Sequence, residues 1–348
     1  MGNAFAAARG KIAVSLMKRA VPGMVAADSI AELDDGLHVI ICGSGSPLPD
    51  PKRGNPCTVI VAGGRVWVVD AGEGASERMA RYQIAPNRIE GVLMTHFHSD
   101  HIGGLAGVAL QRWVAEPATT PLRVIGPSGV ERVVNGINEA YALDCGYRTA
   151  HHGPSVAPPE GAGMTSETFA IPDGEEQFVV FEQDGLKVTA FTVEHPPVEP
   201  AVGFRFDYLG RSVVISGDTA YSPVLVRASR DTDLLVHDAL SPELVKLVED
   251  ASVKAGRPTR RAVFADIPDY HASPAQAADS AREAGAKALA LTHIVPPLPM
   301  KALEAPFLAD SRERFDGPLW IASDGDLYSL PPTGGLERST LVKRGPGR

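Results

Sequence analysis

Apolar residues fall in short runs, bounded by Gly and Pro, from residue 38 onward. Their length and β-branched content predict strands at His38–Cys42, Thr58–Ala62, Arg65–Asp70, Gly91–Thr95, Leu122–Ile125, Val179–Phe181, Lys187–Val193, Ala201–Asp207, Ser212–Ser216, Leu234–His237, Ala288–Thr292 and Trp320–Ala322. Amphipathic stretches between them predict helices at Ala75–Tyr82, Gly104–Ala115, Gly129–Leu143, Pro223–Ala228, Pro242–Ala255 and Pro274–Ala284. Several of these open on Ser or Gly with Pro in the first turn. Early strands cluster as hairpins, as in the TVIVAGGRVWVVD stretch with its Gly63-Gly64 turn, and later strands alternate with helices. That order predicts two mixed sheets, each covered by helices and packed face to face. The result is an α/β fold, a four-layer αββα sandwich.

The pattern weakens in three places. Residues 144–176 are rich in Gly, Pro, Ser and Glu and read as a loop or lid inserted in a domain spanning 31–330. Residues 331–348 read as a flexible tail. Residues 1–30 read as an N-terminal helical extension, with an amphipathic stretch at 8–20 carrying basic residues at both ends. That stretch is too short to span a bilayer, so no transmembrane segment is expected, although it could lie at a membrane surface.

Charge and cysteine content narrow the possibilities further. The net charge of −9 and the absence of a basic stripe argue against a long nucleic acid as partner and toward a small molecule. Cys42, Cys57 and Cys145 are scattered, with no CxxC pair. They read as reduced thiols of a cytoplasmic protein.

The chemistry concentrates in Thr95-His96-Phe97-His98-Ser99-Asp100-His101, which follows a predicted strand and runs into Ile102-Gly103-Gly104. His96 and His98 share one side of an extended segment, and Asp100 and His101 fall in the turn that follows. Four imidazole and carboxylate ligands within six residues suit adjacent divalent metal centres, zinc above all.

This stretch resembles the HxHxDH signature of the metallo-β-lactamase superfamily. Further stretches are similar to motifs of its ribonuclease Z branch, which also holds arylsulfatase-like and phosphodiesterase-like members. They are Asp70 in VVDAGEG, Val193-Glu194-His195-Pro196, Ser216-Gly217-Asp218-Thr219, Val236-His237-Asp238-Ala239, Tyr270-His271-Ala272-Ser273 and Leu291-Thr292-His293. The resemblance implies two Zn²⁺ per chain, with Mn²⁺ or Fe²⁺ as substitutes. His96, His98 and His195 would hold one ion, Asp100, His101 and His293 the other, and Asp218 would bridge them. It implies a metal-bound hydroxide oriented by Asp100 and Asp218, with His271 as proton donor held by Asp238. Asp70 and His237 would support the ligands from behind, and a homodimer would be the assembly. Asp238 stands where the motif usually has Glu, so a longer or water-bridged contact to His271 is expected.

Arg205 is followed within a few residues by Tyr208-Leu209-Gly210-Arg211, room only for a tight hairpin and not for the long arm by which ribonuclease Z grips transfer RNA. The substrate expected from sequence is therefore a small anionic ester, a phosphodiester or aryl sulfate. Transfer RNA 3′ processing, lactone hydrolysis and β-lactam hydrolysis stand as alternatives. Tyr147, His151 and His152, on the expected lid, would touch the substrate. A scaffold without catalysis is disfavoured, because all seven ligand positions are intact.

Overall fold

The computed structural model describes residues 2–341. Fifteen strands build two sheets among these residues. The first holds β1 (Leu37–Gly43), β2 (Cys57–Ala62), β3 (Arg65–Val69), β4 (Ile89–Leu93), β5 (Leu122–Pro127) and β6 (Met164–Phe169). The second holds β7 (Gln177–Gln183), β8 (Leu186–Thr192), β9 (Val202–Tyr208), β10 (Arg211–Ile215), β11 (Leu234–Leu240), β12 (Leu289–Val295) and β13 (Leu319–Ile321). The chain then returns to the first with β14 (Asp326–Leu330) and β15 (Glu337–Thr340). Strand order is β15-β14-β1-β2-β3-β4-β5-β6 in one sheet and β13-β12-β11-β10-β9-β8-β7 in the other. The helices are α1 (Gly2–Val25), α2 (Ala75–Arg81), α3 (Ser99–Ile102), α4 (Leu105–Ala115), α5 (Val130–His152), α6 (Pro223–Ala228), α7 (Pro242–Lys254), α8 (Pro258–Asp266), α9 (Pro274–Ala284), α10 (Glu304–Leu308) and α11 (Ser311–Arg314).

Three apolar layers show why both sheets form. Val39, Ile60, Trp67, Phe204, Val213 and Val236 belong to a buried cluster shared by the two facing sheets. Alternate residues of the first sheet, such as Ile40, Val59 and Val68, pack instead on α2, α4 and α5. Val214, Leu235 and Leu289 of the second sheet pack on α6 and α9. Both faces of each sheet are therefore buried, so the strands read as near-continuous apolar runs rather than alternating ones. This is the αββα arrangement expected from sequence.

β9 and β10 are joined by Leu209-Gly210 alone, both with positive φ (49° and 77°), the backbone of a two-residue hairpin turn. The tight hairpin stands where the sequence placed it.

Four expectations need correction. The 144–176 segment is not a lid. Its first part continues α5 to His152, and Met164–Phe169 pairs in parallel with β5 as β6. Residues 331–341 are not a free tail, because Glu337–Thr340 pairs with β14. The rest of that expected tail, 342–348, lies outside the described residues. The predicted helix set also lacked α8 (Pro258–Asp266). Finally, Cys42 and Cys57 are not free thiols. The β1–β2 register sets them side by side, with Cα atoms 5.1 Å apart, and they form a disulfide. Cys145 is free. No helix among the described residues is long and apolar enough to cross a membrane.

Candidate metal centre

β3 is parallel to β4, and β8 runs parallel to β10, β11 and β12. The C-terminal ends of these strands meet at one edge of the sandwich, and every candidate ligand sits just beyond or within such an end. The two sheets are tied there by a hydrogen bond from Val202 N of β9 to Thr95 O, just past β4.

Local backbone rules explain how each side chain reaches the centre. After β4 the chain stays extended through His96 and turns into α3, which carries Asp100 and His101. Ala71 N donates to His101 O, and Gly104 N donates to Ala71 O, locking this turn against the loop after β3. The approach is so close that a Cβ on Gly72 would overlap Asp100 O, and one on Gly104 would overlap Gly72 O. Both positions need glycine. His293 is placed by a bulge. In the β11–β12 ladder Asp238 pairs with Thr292 and Ala239 with Ile294, leaving His293 as the extra residue, with φ of 49°. A bulge of this kind re-aims one side chain, and here it turns His293 among the other histidines.

The seven side chains named from sequence converge. His96, His98, His195 and Asp218 form one group able to hold a metal ion, and Asp100, His101 and His293 a second. The donor atoms of each group lie within 4.8 Å of one another. His98 Nδ1 lies 3.0 Å from His96 Nε2 and 3.3 Å from His195 Nε2. Asp218 Oδ2 lies between the groups, 3.8 Å from His96 Nε2, 3.3 Å from His101 Nε2 and 3.2 Å from His293 Nε2. His293 Nε2 is also 3.4 Å from Asp100 Oδ2.

The outward nitrogens of His96, His101 and His195 are held so that the inward ones are free to coordinate. Thr95 N and Oγ1 both donate to Asp70, at 2.9 and 2.8 Å, and His101 Nδ1 donates to Asp70 Oδ2 at 2.8 Å. The Thr95 hydroxyl in turn accepts from His96 Nδ1 at 3.0 Å. His195 Nδ1 donates to the Tyr270 carbonyl at 2.9 Å. Each contact fixes one tautomer and presents the opposite nitrogen to the centre, as carboxylate and carbonyl partners do for metal-bound imidazoles. The donor set fits a divalent ion on a further count. His101 Nε2 is fully enclosed yet has no hydrogen-bond partner, a cost that a coordinated cation removes. Asp70 holds its place with φ of 57°, a backbone conformation uncommon outside glycine. Asp70→Asn is expected to lower metal affinity by roughly 10–100-fold, because one amide oxygen cannot serve both Thr95 N, which uses Oδ1, and His101 with Thr95 Oγ1, which share Oδ2. Chelator competition measures this, and unchanged affinity would remove Asp70 from the site.

Charge is divided unevenly between the groups. Burial, aided by the neighbouring His101, pushes His96 well below the usual imidazole pKa, and burial also lowers His98 and His195. Burial opposes charge at His101 too, but the carboxylates of Asp218 and Asp70 outweigh it and lift its pKa well above the usual value. His293 is raised in the same way by Asp218 and Asp100. Asp218 is fully buried, yet His293 and His101 hold its carboxyl well below the ordinary range. The metal-free protein thus holds protons on His101 and His293 to higher pH than ordinary imidazoles do, and a metal must displace them. Zinc uptake is expected to release protons, and affinity to fall as pH drops below those raised values. Calorimetric titration in two buffers of different ionisation enthalpy checks this; identical heats would contradict it.

Beside the cluster stands a second set. His271 Nδ1 donates to Asp238 Oδ2 at 2.9 Å, and His237 Nδ1 donates to Asp238 Oδ1 at 2.9 Å. The longer contact expected from the shorter acid is absent. Asp238 lies within β11, where the β11–β12 register shifts, and reaches His271 directly. The His271 ring stacks on His293 at 5.1 Å, and His271 groups with Asp218 and His293. His237 is fully buried in the middle of β11, and its Nε2 has no partner.

Tyr147, His151 and His152 do not join the site. They ride on the exposed C-terminal half of α5, with Tyr147 61% exposed. The helix start abuts the metal motif, where Gly129 packs against Phe97. From there His151 lies about 30 Å along the helix axis. Two supporting residues escaped the sequence reading. Thr95 was quoted but given no role, although a hydroxyl at the buried end of an apolar strand is itself a signal. Asp324, in Ala322-Ser323-Asp324-Gly325, accepts from Ser44 N and Oγ, Gly54 N and Arg78 Nε, pinning the loop whose Ser44 carbonyl receives Ile294 N beside His293.

A family model for the Metallo-beta-lactamase superfamily matches residues 51–293. The chain belongs to this superfamily. It is 37% identical over 298 residues to ribonuclease Z of Mycolicibacterium gilvum, covering 85% of this chain and 97% of that protein. Ribonuclease Z of Mycobacterium bovis strain BCG is 34% identical over 300 residues, covering 85% and 99%. Human tRNase Z, short form, superposes with a TM-score of 0.60 at 22% identity, over 84% of this chain and 99% of that one. A metallo-beta-lactamase fold protein of Bacillus subtilis gives 0.62 at 17%, over 85% and 100%. These two structures speak for the fold. Family membership makes the chain a metal-dependent hydrolase, and its relatives fit the ribonuclease Z branch.

The ribonuclease Z relatives overturn the argument for a small-molecule substrate against a long nucleic acid. Net charge sums over every face of the molecule, whereas a polyanion meets only one, and there a bound divalent ion dominates the field.

Proposed function

We propose that this chain is an endoribonuclease of the ribonuclease Z type, hydrolysing one phosphodiester bond at the 3′ side of a transfer RNA precursor with two divalent ions, zinc by donor set. The observation that carries the reading is the meeting of all seven candidate ligands around Asp218, in the order of the ribonuclease Z motifs. The 37% identity to a ribonuclease Z along nearly that protein's whole length supports the substrate class.

His96, His98 and His195 would hold one ion, Asp100, His101 and His293 the other, and Asp218 both. Such a pair supplies an activated water at neutral pH and neutralises charge on the phosphate. The remaining work falls to the protein. Asp70 and Thr95 keep His96 and His101 aimed inward. Asp238 holds the His271 ring through Nδ1, leaving Nε2 to give a proton to the departing ribose oxygen.

The test uses zinc-loaded protein, a transfer RNA precursor with a 3′ trailer, and bis(p-nitrophenyl) phosphate as a bare diester. A single cut releasing the trailer is expected. Hydrolysis of the bare diester with the precursor left intact would overturn the RNA assignment.

A further inference from the structure

β5 and β6 run parallel to β4, so their C-terminal ends reach the same edge of the sandwich as the metal centre. Between those ends and the loop after β8 lies a cavity of ≈560 Å³, and one of its walls is His195. The volume is within the ~300–1,000 Å³ typical of pockets that enclose small organic groups. Phe169, Ile171 and Val198 line it with apolar surface, and Ser128 and the exposed Glu194 and Glu199 are among its polar residues. Among the described residues no lysine or arginine lines it. Phe169 is held rigidly, stacked on Phe178 at 6.1 Å and edge-on to Phe204 at 6.2 Å.

That chemistry excludes a phosphate, which two carboxylates would repel and no cation would balance. It suits a flat heteroaromatic group with an amine. Apolar walls cover the ring, and carboxylates accept from an exocyclic amine, as they do from cytosine N4. A phosphodiester placed on the metal centre carries a nucleoside on each side, and the wall shared with His195 brings the cavity within reach of one of them. We infer that this cavity is a nucleobase subsite, taking the base of a nucleotide next to the cleaved bond and favouring amine-bearing bases over uracil. The inference rests on the RNA reading above and adds to it a specificity determinant outside the candidate ligands.

The experiment measures kcat/KM on transfer RNA precursors carrying adenine, cytosine, uracil or no base at each of the two positions flanking the cut. Bis(p-nitrophenyl) phosphate serves as a control that enters no base subsite. At one flanking position, loss of the base is expected to lower kcat/KM by roughly 10-fold or more, a stacking-sized effect, with adenine and cytosine ahead of uracil. Ala170→Trp, an exposed residue at the cavity wall, is expected to abolish the difference between base and abasic substrates and leave the control diester unchanged. Glu199→Gln is expected to narrow the preference for amine-bearing bases while the abasic penalty persists. Precursors cut at rates indifferent to base and abasic sites, or an Ala170→Trp protein with the wild-type preference, would overturn the subsite alone. Precursors left uncut while the control diester is hydrolysed would overturn the RNA reading, and the subsite with it.

Discussion

Asp218→Ala protein is expected to bind fewer than two equivalents of zinc and to lose phosphodiester hydrolysis by on the order of 10³-fold or more, the scale seen when a single dominant electrostatic contact is removed from a reacting centre. The reason lies in where the carboxylate sits. Its Oδ2 is the only acidic oxygen within 4 Å of three candidate ligands at once, His96, His101 and His293, among the described residues. Removing it strips a shared donor from both groups, whereas removing His98 strips a donor from one. The same substitution reports on the metal-free fold. Asp218 is the largest charge lifting His101 and His293, so without it both imidazoles lose their protons at lower pH. Proton release on zinc uptake should therefore shrink in the variant. Metal analysis by mass spectrometry, with hydrolysis of bis(p-nitrophenyl) phosphate, checks the first part. Two tightly held equivalents at wild-type turnover would show that Asp218 neither bridges nor binds.

The legible and illegible parts of this chain differ in a physical way. The centre was legible because six of its seven candidate ligands sit in short motifs at strand ends, where polar residues interrupt apolar runs, and strand ends of parallel ladders share an edge. The geometry that completes it was not legible. Nothing in Leu291-Thr292-His293-Ile294 announces a bulge, because a bulge depends on the register with the neighbouring strand. The Cys42–Cys57 disulfide was hidden for the same reason. Both strands were predicted, but only their antiparallel register brings the two sulfurs together. The last turns of α5, residues 144–152, went unseen because they bury little. These residues are exposed or half-exposed, so no apolar stripe of helical period arises, although the backbone is helical. β6 was missed because Thr165-Ser166-Glu167-Thr168 lie on a sheet edge, where one neighbour is lacking and polar side chains are tolerated.

His271→Ala is expected to cut turnover on the RNA substrate by roughly 10²–10⁴-fold, the usual worth of a positioned general acid, while the protein still binds two equivalents of zinc. The second half of that expectation makes the test informative. His271 groups with Asp218 and His293 closely enough to be taken for a ligand, but its Nδ1 is committed to Asp238 and its ring stacks on His293. A ligand would take metal with it when removed; a proton donor would not. Leaving-group dependence separates the two further. If His271 protonates the departing oxygen, its loss should weigh heavily on an RNA linkage, whose leaving alkoxide is a strong base. It should weigh lightly on bis(p-nitrophenyl) phosphate, whose phenolate leaves without help. Asp238→Asn should reproduce the same asymmetry more weakly, since an amide holds the His271 Nδ1–H less firmly than a carboxylate does. Equal losses on both substrates, together with a drop in zinc content, would move His271 from proton transfer to metal binding. Unchanged turnover on both would leave Asp238, His237 and His271 as a buried structural network.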